Sequence, residues 1–447
     1  MLDMLDKILE LLENKDFPQL GNLLKDMNPA DVAELFEDLP REKMALVFRL
    51  LPKELAADAF AYMNPDEQTV LVEAFSDKEL HDVVNELYVD DAADMIEEMP
   101  ANLVKRILRH TDAETRVLIN QILNYPKDSA GSIMTMEYVD LKRGMTVEEA
   151  FDRIRAIGVE KETVYTCYVT DSRKLKGIVT VKDLLLAPKN ELIRNIMETN
   201  IIYVSTHTDK EEVASLFGKY DFLAVPVVDN EERLVGIVTV DDAIDVIQDE
   251  ATEDIEMMAA ITPTDKPYMK TGVFATWKKR IPWLLLLMIS ATFTGSIITS
   301  FEDALSASIV LTGFIPMLMD TGGNAGSQAS VSIIRGLSLG EIEYKDIGRI
   351  LWKEARVAFL CGVSLAAANF VKLLLVDRVT IPVAIVVCST LVVTVLAAKL
   401  VGCSLPVLAK RIGFDPAVMA SPFITTIVDA LSLLIYFRIA CAVLHIG

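Results

Sequence analysis

The chain is poor in the residue types that most enzymes and metal centres need. It has four histidines in 447 residues, and His445 is the only one beyond residue 265. The C-terminal part therefore has no Ser–His pair and no histidine-ligated metal available within it. The five cysteines include no C-x-x-C pair, and four of them (Cys361, Cys388, Cys403, Cys441) fall in that same apolar part. Packing thiols in a reducing compartment are expected, without a disulfide framework or a zinc site. Basic residues are scarce at the start: residues 1–265 hold 27 Lys+Arg against 55 Asp+Glu. So acidic a part argues against nucleic acid as a partner, because phosphates need cations. The opening "MLDMLDKILELLENK" has no cleavable apolar core, so no signal peptide is expected.

What is present begins with long apolar runs. Residues 266–447 carry 16 bases and 10 acids and contain five apolar segments, at 281–300, 304–334, 357–376, 379–398 and 417–437. Each is long enough to cross a bilayer, and the second is longer than needed. "WKKR" precedes the first segment, five bases lie between the second and third, and Lys399, Lys410 and Arg411 follow the fourth. The loop "SFEDALS" has no base and "DRVT" has one, so the basic loops share a side with residue 280. A multi-pass protein of the plasma (cell inner) membrane is expected, and the positive-inside rule gives it a cytoplasmic N-terminus and an outside C-terminus.

Polarity within these segments is concentrated in two places. The second reads "GFIPMLMDTGGNAGSQAS", and its proline and paired glycines are expected to break the helix and line a protein-enclosed or wet path. The fifth contains "SPFITTIVD", and Asp429 is the only charged residue in 417–437. An intramembrane carboxylate usually marks an ion or proton path; the plainer alternative is a protonated packing residue. Lys372 is the only base inside the expected spans and can reach outward. A mobile cation is then the expected partner of Asp429. The donors on offer are oxygens, which suit magnesium or calcium better than copper or zinc.

Two repeats occupy the acidic part. Between residues 27 and 110, Pro29, Pro40, Pro52, Pro65 and Pro100 each open a unit of 11–13 residues with a short helical apolar pattern. Proline is comfortable in a first helical turn, and stacked units of this size build a small superhelix. Further on, residues 177–183 and 236–242 match as G-I-V-T-V-x-D, 59 residues apart. Each sits in an apolar strand pair flanked by amphipathic helices. This closely resembles a tandem CBS pair. The resemblance gives Thr180, Asp183, Thr239 and Asp242 phosphate- or ribose-facing roles toward an adenine nucleotide such as ATP; a pair that only dimerises is the alternative. Residues 241–256 then hold eight acids and no base, with Asp242, Asp245, Asp249, Glu253 and Glu256 on one helical face. Ile244, Ile247, Ala251, Ile255 and Met258 form a second stripe. The acid face is either solvated or holds a divalent cation.

Together these parts resemble the MgtE family of magnesium channels along the whole chain, most specifically in "PMLMDTGGNAGSQAS" and "PFITTIVDALSL". The expected fold class is a multidomain α and α/β membrane protein. It comprises a superhelical N domain (1–128), tandem CBS domains (129–250), a connecting or plug helix (251–270) and a five-helix transmembrane domain (271–447). The resemblance implies a homodimer embedded in lipid, with Asp429 as the pore's cation site. Asn324, Thr425 and Ser421 line the pore, and Asp415 meets the plug helix. Ser421 departs from the amide that some relatives carry there. Regulatory magnesium is implied at Asp91, Asp94, Glu211, Asp221, Asp242, Asp245, Glu250, Glu253 and Asp254. Magnesium holds its water tightly, so two symmetry-related Asp429 side chains are expected to contact a hydrated ion. Rival readings are a CBS-regulated carrier of another divalent cation or of an anion, and a magnesium or nucleotide sensor that transports nothing. An anion is disfavoured by the acidic pore.

Overall fold

The computed structural model describes residues 2–264, 268–302 and 308–445. It forms two compact units, Met1–Ile247 and Gln248–Gly447.

The first unit opens with short helices running from α1 (Leu2–Glu13) to α10 (Ala113–Ile122), each of 8 to 12 residues. Such helices are too short to be stable alone and form because they stack. Pro29 and Pro65 lie in the first turn of their helices, whereas Pro40, Pro52 and Pro100 stand one place earlier, at the N-cap. The repeat is visible in the core: Phe36, Phe48 and Phe60, twelve residues apart, meet edge to face at 6.2 and 6.0 Å, and Phe75 closes on Phe48 at 5.0 Å. These four phenylalanines thus join neighbouring helices within a single apolar core.

Two similar α/β modules follow. In the first, β1 (Asp140–Lys142) runs parallel to β2 (Thr166–Asp171), which pairs antiparallel with β3 (Lys174–Thr180). Around this sheet lie α11 (Val147–Ile157), α12 (Val181–Leu186) and α13 (Ile193–Ile196). The second module repeats the order with β4 (Val204–Ser205), β5 (Ala224–Val228), β6 (Leu234–Thr239) and α14 (Lys210–Tyr220). The motif glycines are there for close approach. A Cβ on Gly177 would meet Met197 Sδ at 2.7 Å, and one on Gly236 would meet Met134 Sδ and the Thr135 carbonyl at 2.7 Å.

Helix α15 (Val240–Met258) begins in the first unit and ends in the second. It corrects the connecting element expected at 251–270: that helix continues from the second module and stops at Met258. Part of the expected stretch, 265–267, lies outside the described residues. The apolar stripe is corrected too. Ala243 and Val246 are the buried positions, while Ile244, Ile247 and Ile255 are exposed.

The second unit is built on α16 (Val273–Ser300), α17 (Ile315–Ser338), α18 (Ile347–Leu375), α19 (Ile381–Arg411) and α20 (Ser421–Leu444). Among the described residues, four stretches are long and apolar enough to cross a membrane, and they contain α16, α18, α19 and α20. The fifth helix, α17, has 24 residues but is diluted by glycine, serine, asparagine and glutamine. The expected break in that segment does not occur. Pro316 sits in the first turn, and the helix continues through Gly322, Gly323 and Gly326. These glycines are contact points instead: a Cβ on Gly322 would meet Ser432 Oγ and Thr394 Cγ2 at 2.8 Å, and one on Gly326 would meet Ile424 at 2.8 Å. Gly402 on α19 lies directly on the Gly326 backbone, so any side chain there would force two helices apart. With lipid as solvent, close backbone approach of this kind replaces hydrophobic burial as the cause of helix packing. Helix α19 also outruns the expected 379–398, which places Lys399 inside it; Lys372 is therefore not the only base within a span. Lys372 itself is held by Asp377 at 3.0 Å.

Candidate functional site

Helices α17 and α20 cross antiparallel, as three contacts show. Gly326 lies against Ile424, Gly323 against Thr425, and Gly322 against Val428 and Ser432. Asp320 acts electrostatically on Asp429. One strip therefore carries Asp320 and Asn324 from α17, four residues apart, with Thr425 and Asp429 from α20 at the same spacing. The Thr425 hydroxyl donates to the Pro422 carbonyl at 2.9 Å, and Thr426 donates to the same oxygen at 3.1 Å. Asp429 is half-buried, while Asp320, Asn324 and Gln328 are exposed along one face of α17. Lipid cannot satisfy such a face. The Ser421 side chain lies outside the described residues, though its backbone starts α20.

Asp415 caps a short turn before α20, its Oδ1 accepting from the Ala417 amide at 2.7 Å. The end of α15 reaches this turn. Met257 and Met258 pack on Ile334, Ala417 and Ala420, and the Ser338 hydroxyl donates to Asp254 Oδ2 at 3.3 Å. Burial, and then the charge of Asp415, raises the Asp254 carboxyl above its usual range. Asp254 is thus an α15 carboxylate within the field of Asp415.

In the first unit, α8 (Val89–Glu98) brings Asp90, Asp91 and Asp94 toward Asp242 at the start of α15. Burial, followed by the charges of Asp242 and Asp241, lifts Asp91 to about 7. Burial, then Asp242 and Asp91, lifts Asp94 to about 7. Glu162 rises to about 8 through burial and then Asp91, and among the described residues its Oε2 has no hydrogen-bond partner. Asp242 rises to about 6 through burial, opposed by the hydrogen bond from Thr239 and reinforced by Asp241 and Asp245. Glu137 adds to the field on both Asp91 and Glu162. Among the described residues no three such side chains converge closely enough to hold a bare ion. The donor set is nonetheless all oxygen, and it fits a hydrated hard cation held through water.

Two of the other expected ligands share one helix. Glu211 and Asp221 lie at opposite ends of α14, about 15 Å apart by helical rise, so they cannot share one ion. Asp221 has a local role as a left-handed C-cap at φ 54°. Glu250 and Glu253 lie on the second-unit half of α15. The first of the motif Thr–Asp pairs is a capping box. The Thr180 hydroxyl donates to Asp183 Oδ2 at 2.5 Å, and the Asp183 amide donates back to Thr180 Oγ1 at 3.1 Å. The Thr239 hydroxyl makes the same bond to Asp242 at 2.5 Å. The first pair is exposed; the second is part-buried beside the acidic cluster.

Residues 315–439 match the family model MgtE, a divalent cation transporter. Residues 27–128 match the MgtE intracellular N domain, and 130–190 and 193–249 each match the CBS domain. The chain is 38% identical over 443 residues to the magnesium transporter MgtE of Thermus thermophilus, covering 96% of each. It is 33% identical over 444 residues to that of Bacillus subtilis, covering 98% of this chain and 97% of the other. The chain belongs to the MgtE family. Its first unit is also similar to the crystal structure of the cytosolic domain of the Mg2+ channel MgtE in complex with ATP. The TM-score is 0.52 at 38% identity, over 54% of this chain and 99% of that one.

As an MgtE protein it is a multi-pass membrane protein with a helical N domain and a CBS pair. The MgtE segment starts at the first residue of α17 and ends within α20, so it takes in all four oxygen-bearing residues of the strip. Sequence reasoning did not assign Asp320, although its i,i+4 spacing to Asn324 was a usable signal. It also missed Asp90, Glu137, Glu162 and Asp241. Glu162 lies in an irregular loop with no periodicity to mark it.

Proposed function

We propose that the chain is a magnesium channel whose ion path runs along the α17–α20 strip. The observation that carries this is the packing of α17 against α20 in a membrane unit, which seats Thr425 against Gly323 and brings Asp320 within electrostatic reach of Asp429, with Asn324 exposed on the same helix as Asp320. One chain leaves the α17 face open, and a second copy related by a two-fold axis would close it into a wet path. The basic loops put the first unit and the α15 end of the second in the cytoplasm. Two Asp429 carboxylates facing a hydrated ion supply attraction without demanding dehydration. Uptake of magnesium by liposomes that contain only the pure protein tests the reading, with manganese, cobalt and calcium as competitors. Liposomes no more permeable than empty ones would leave a sensor without transport.

Control is assigned to the acidic cluster of Asp91, Asp94, Glu162 and Asp242. Magnesium bridging these acids would hold the N domain against the CBS pair. Asp254 and Asp415 would hold the end of α15 at the membrane unit. The packed state raises these carboxyls, so it binds more protons than an open state. Packing is therefore fully supported below the ordinary carboxylate range, about 4, and that support is lost as pH rises through about 6 to 8. Without magnesium, hydrogen-exchange protection of α8 in the full chain should fall between pH 6 and pH 8, and magnesium should restore it at pH 8. Equal protection at both pH values, after correction for intrinsic exchange, would remove the acids from control.

ATP is assigned to the Thr180–Asp183 side of the CBS pair. Asp242 sits in a field of like charge that opposes a triphosphate, whereas the Thr180–Asp183 box is exposed. Saturable ATP binding by the full chain should weaken about tenfold in Asp183→Ala, the worth of a hydrogen bond to a charged group, and change little in Asp242→Ala. Calorimetry without heat for the wild type would leave the pair a structural module.

A further inference from the structure

Lys399 is 5% exposed on α19, as deep as the apolar side chains around it. Its Nζ lies 3.7 Å from Oε2 of Glu354 on α18. Among the described residues that oxygen has no hydrogen-bond partner. Taking two charges out of water costs more than such a loose pair returns, and apolar residues of similar volume would serve stability better. Charges are retained inside a membrane unit where they act on something that passes. Lys399 borders a cavity of about 550 Å³ that is lined also by Leu360 and Ser364 of α18 and by Asp320, Asn324 and Gln328 on the polar face of α17. Asp429 is not among the residues that line this cavity, which Lys399 shares with the exposed stripe of α17.

We propose that Lys399, held by Glu354, is the release charge of the ion path. The inference rests on the reading of the α17–α20 strip as that path. An ion must be bound well enough to enter and loosely enough to leave. Asp320 and Asp429 supply the attraction, and a fixed positive charge toward the cytoplasmic end of α17 limits it. A divalent ion feels that charge twice as strongly as a monovalent one. At about 10 Å and an effective dielectric of about 50, removing it should tighten divalent binding on the order of tenfold.

The test is magnesium uptake by liposomes containing full-length wild type, Lys399→Gln, Lys399→Arg, or the double variant Glu354→Gln/Lys399→Gln. Lys399→Gln should lower both the KM for magnesium, about tenfold, and the maximal rate, because release slows. Lys399→Arg should behave as wild type. The double variant leaves no buried charge, and its KM should fall in the same direction by a smaller factor. A pair that only supports packing would lower the maximal rate at unchanged KM, and that result in the folded single or double variant overturns the proposal. Should Lys399→Gln fail to fold, the double variant decides. Asp429→Ala measured alongside separates the two ideas. If it is silent while the Lys399 variants keep the wild-type KM, only the release charge falls. If it conducts normally, the path itself is wrong.

Discussion

Liposomes carrying Asp429→Ala should take up magnesium no faster than empty ones, while the protein remains folded and inserted. Asp429 is half-buried eight residues into α20, and among the described residues no lysine or arginine pairs with it. The fold gains nothing from an intramembrane charge, so removing it relieves a cost and does not create one. The ion loses its main attraction. For a hydrated divalent ion about 4 to 5 Å from a carboxylate in a wet path, that attraction is worth roughly two orders of magnitude in occupancy. Asp429→Asn keeps the shape and loses the charge, so it should resemble the alanine variant in transport and the wild type in stability. Asp320→Ala should be milder, since the Asp429 attraction remains. Normal uptake by Asp429→Ala would move the path away from α20.

Neutralising Asp91, Asp94 and Glu162 together, as Asp→Asn and Glu→Gln, should remove the magnesium dependence of gating. Two carboxylates about 4 Å apart repel by on the order of 4 kcal/mol at an effective dielectric near 20. Shifting a two-state gate from mostly open to mostly shut takes about 5.5 kcal/mol of differential binding. A few bridged acids reach that total, and several weak sites acting together make closure steep in concentration. With the repulsion gone, the N domain and CBS modules pack without an ion. Protease protection of the α15 end and the transport rate then no longer change with magnesium. Asp242 is left intact in this variant because it also caps α15 with Thr239. A triple variant that still closes at the wild-type magnesium concentration would make the cluster an ordinary solvated surface.

Local pattern was enough for a good part of this protein. Proline at several helix starts, phenylalanines twelve residues apart at 36, 48 and 60 and the doubled G-I-V-T-V-x-D stretch are short-range signals, and they correspond to elements that form within a few residues of the signal. Asp429 was legible for a different reason: a charge in a long apolar run is conspicuous wherever the run folds. The "GGNAGSQ" stretch was not legible. As a string it looks like a broken helix, yet α17 is continuous, because its glycines answer to Gly402, Thr425 and Val428 on other helices. The same holds for Asp320 beside Asp429, for Glu162 against Asp91, and for Lys399 against Glu354. A side chain's charge and size are properties of the sequence. Whether that charge is repelled, paired or aimed into a cavity depends on which distant backbone comes close, and only the packed helices determine that.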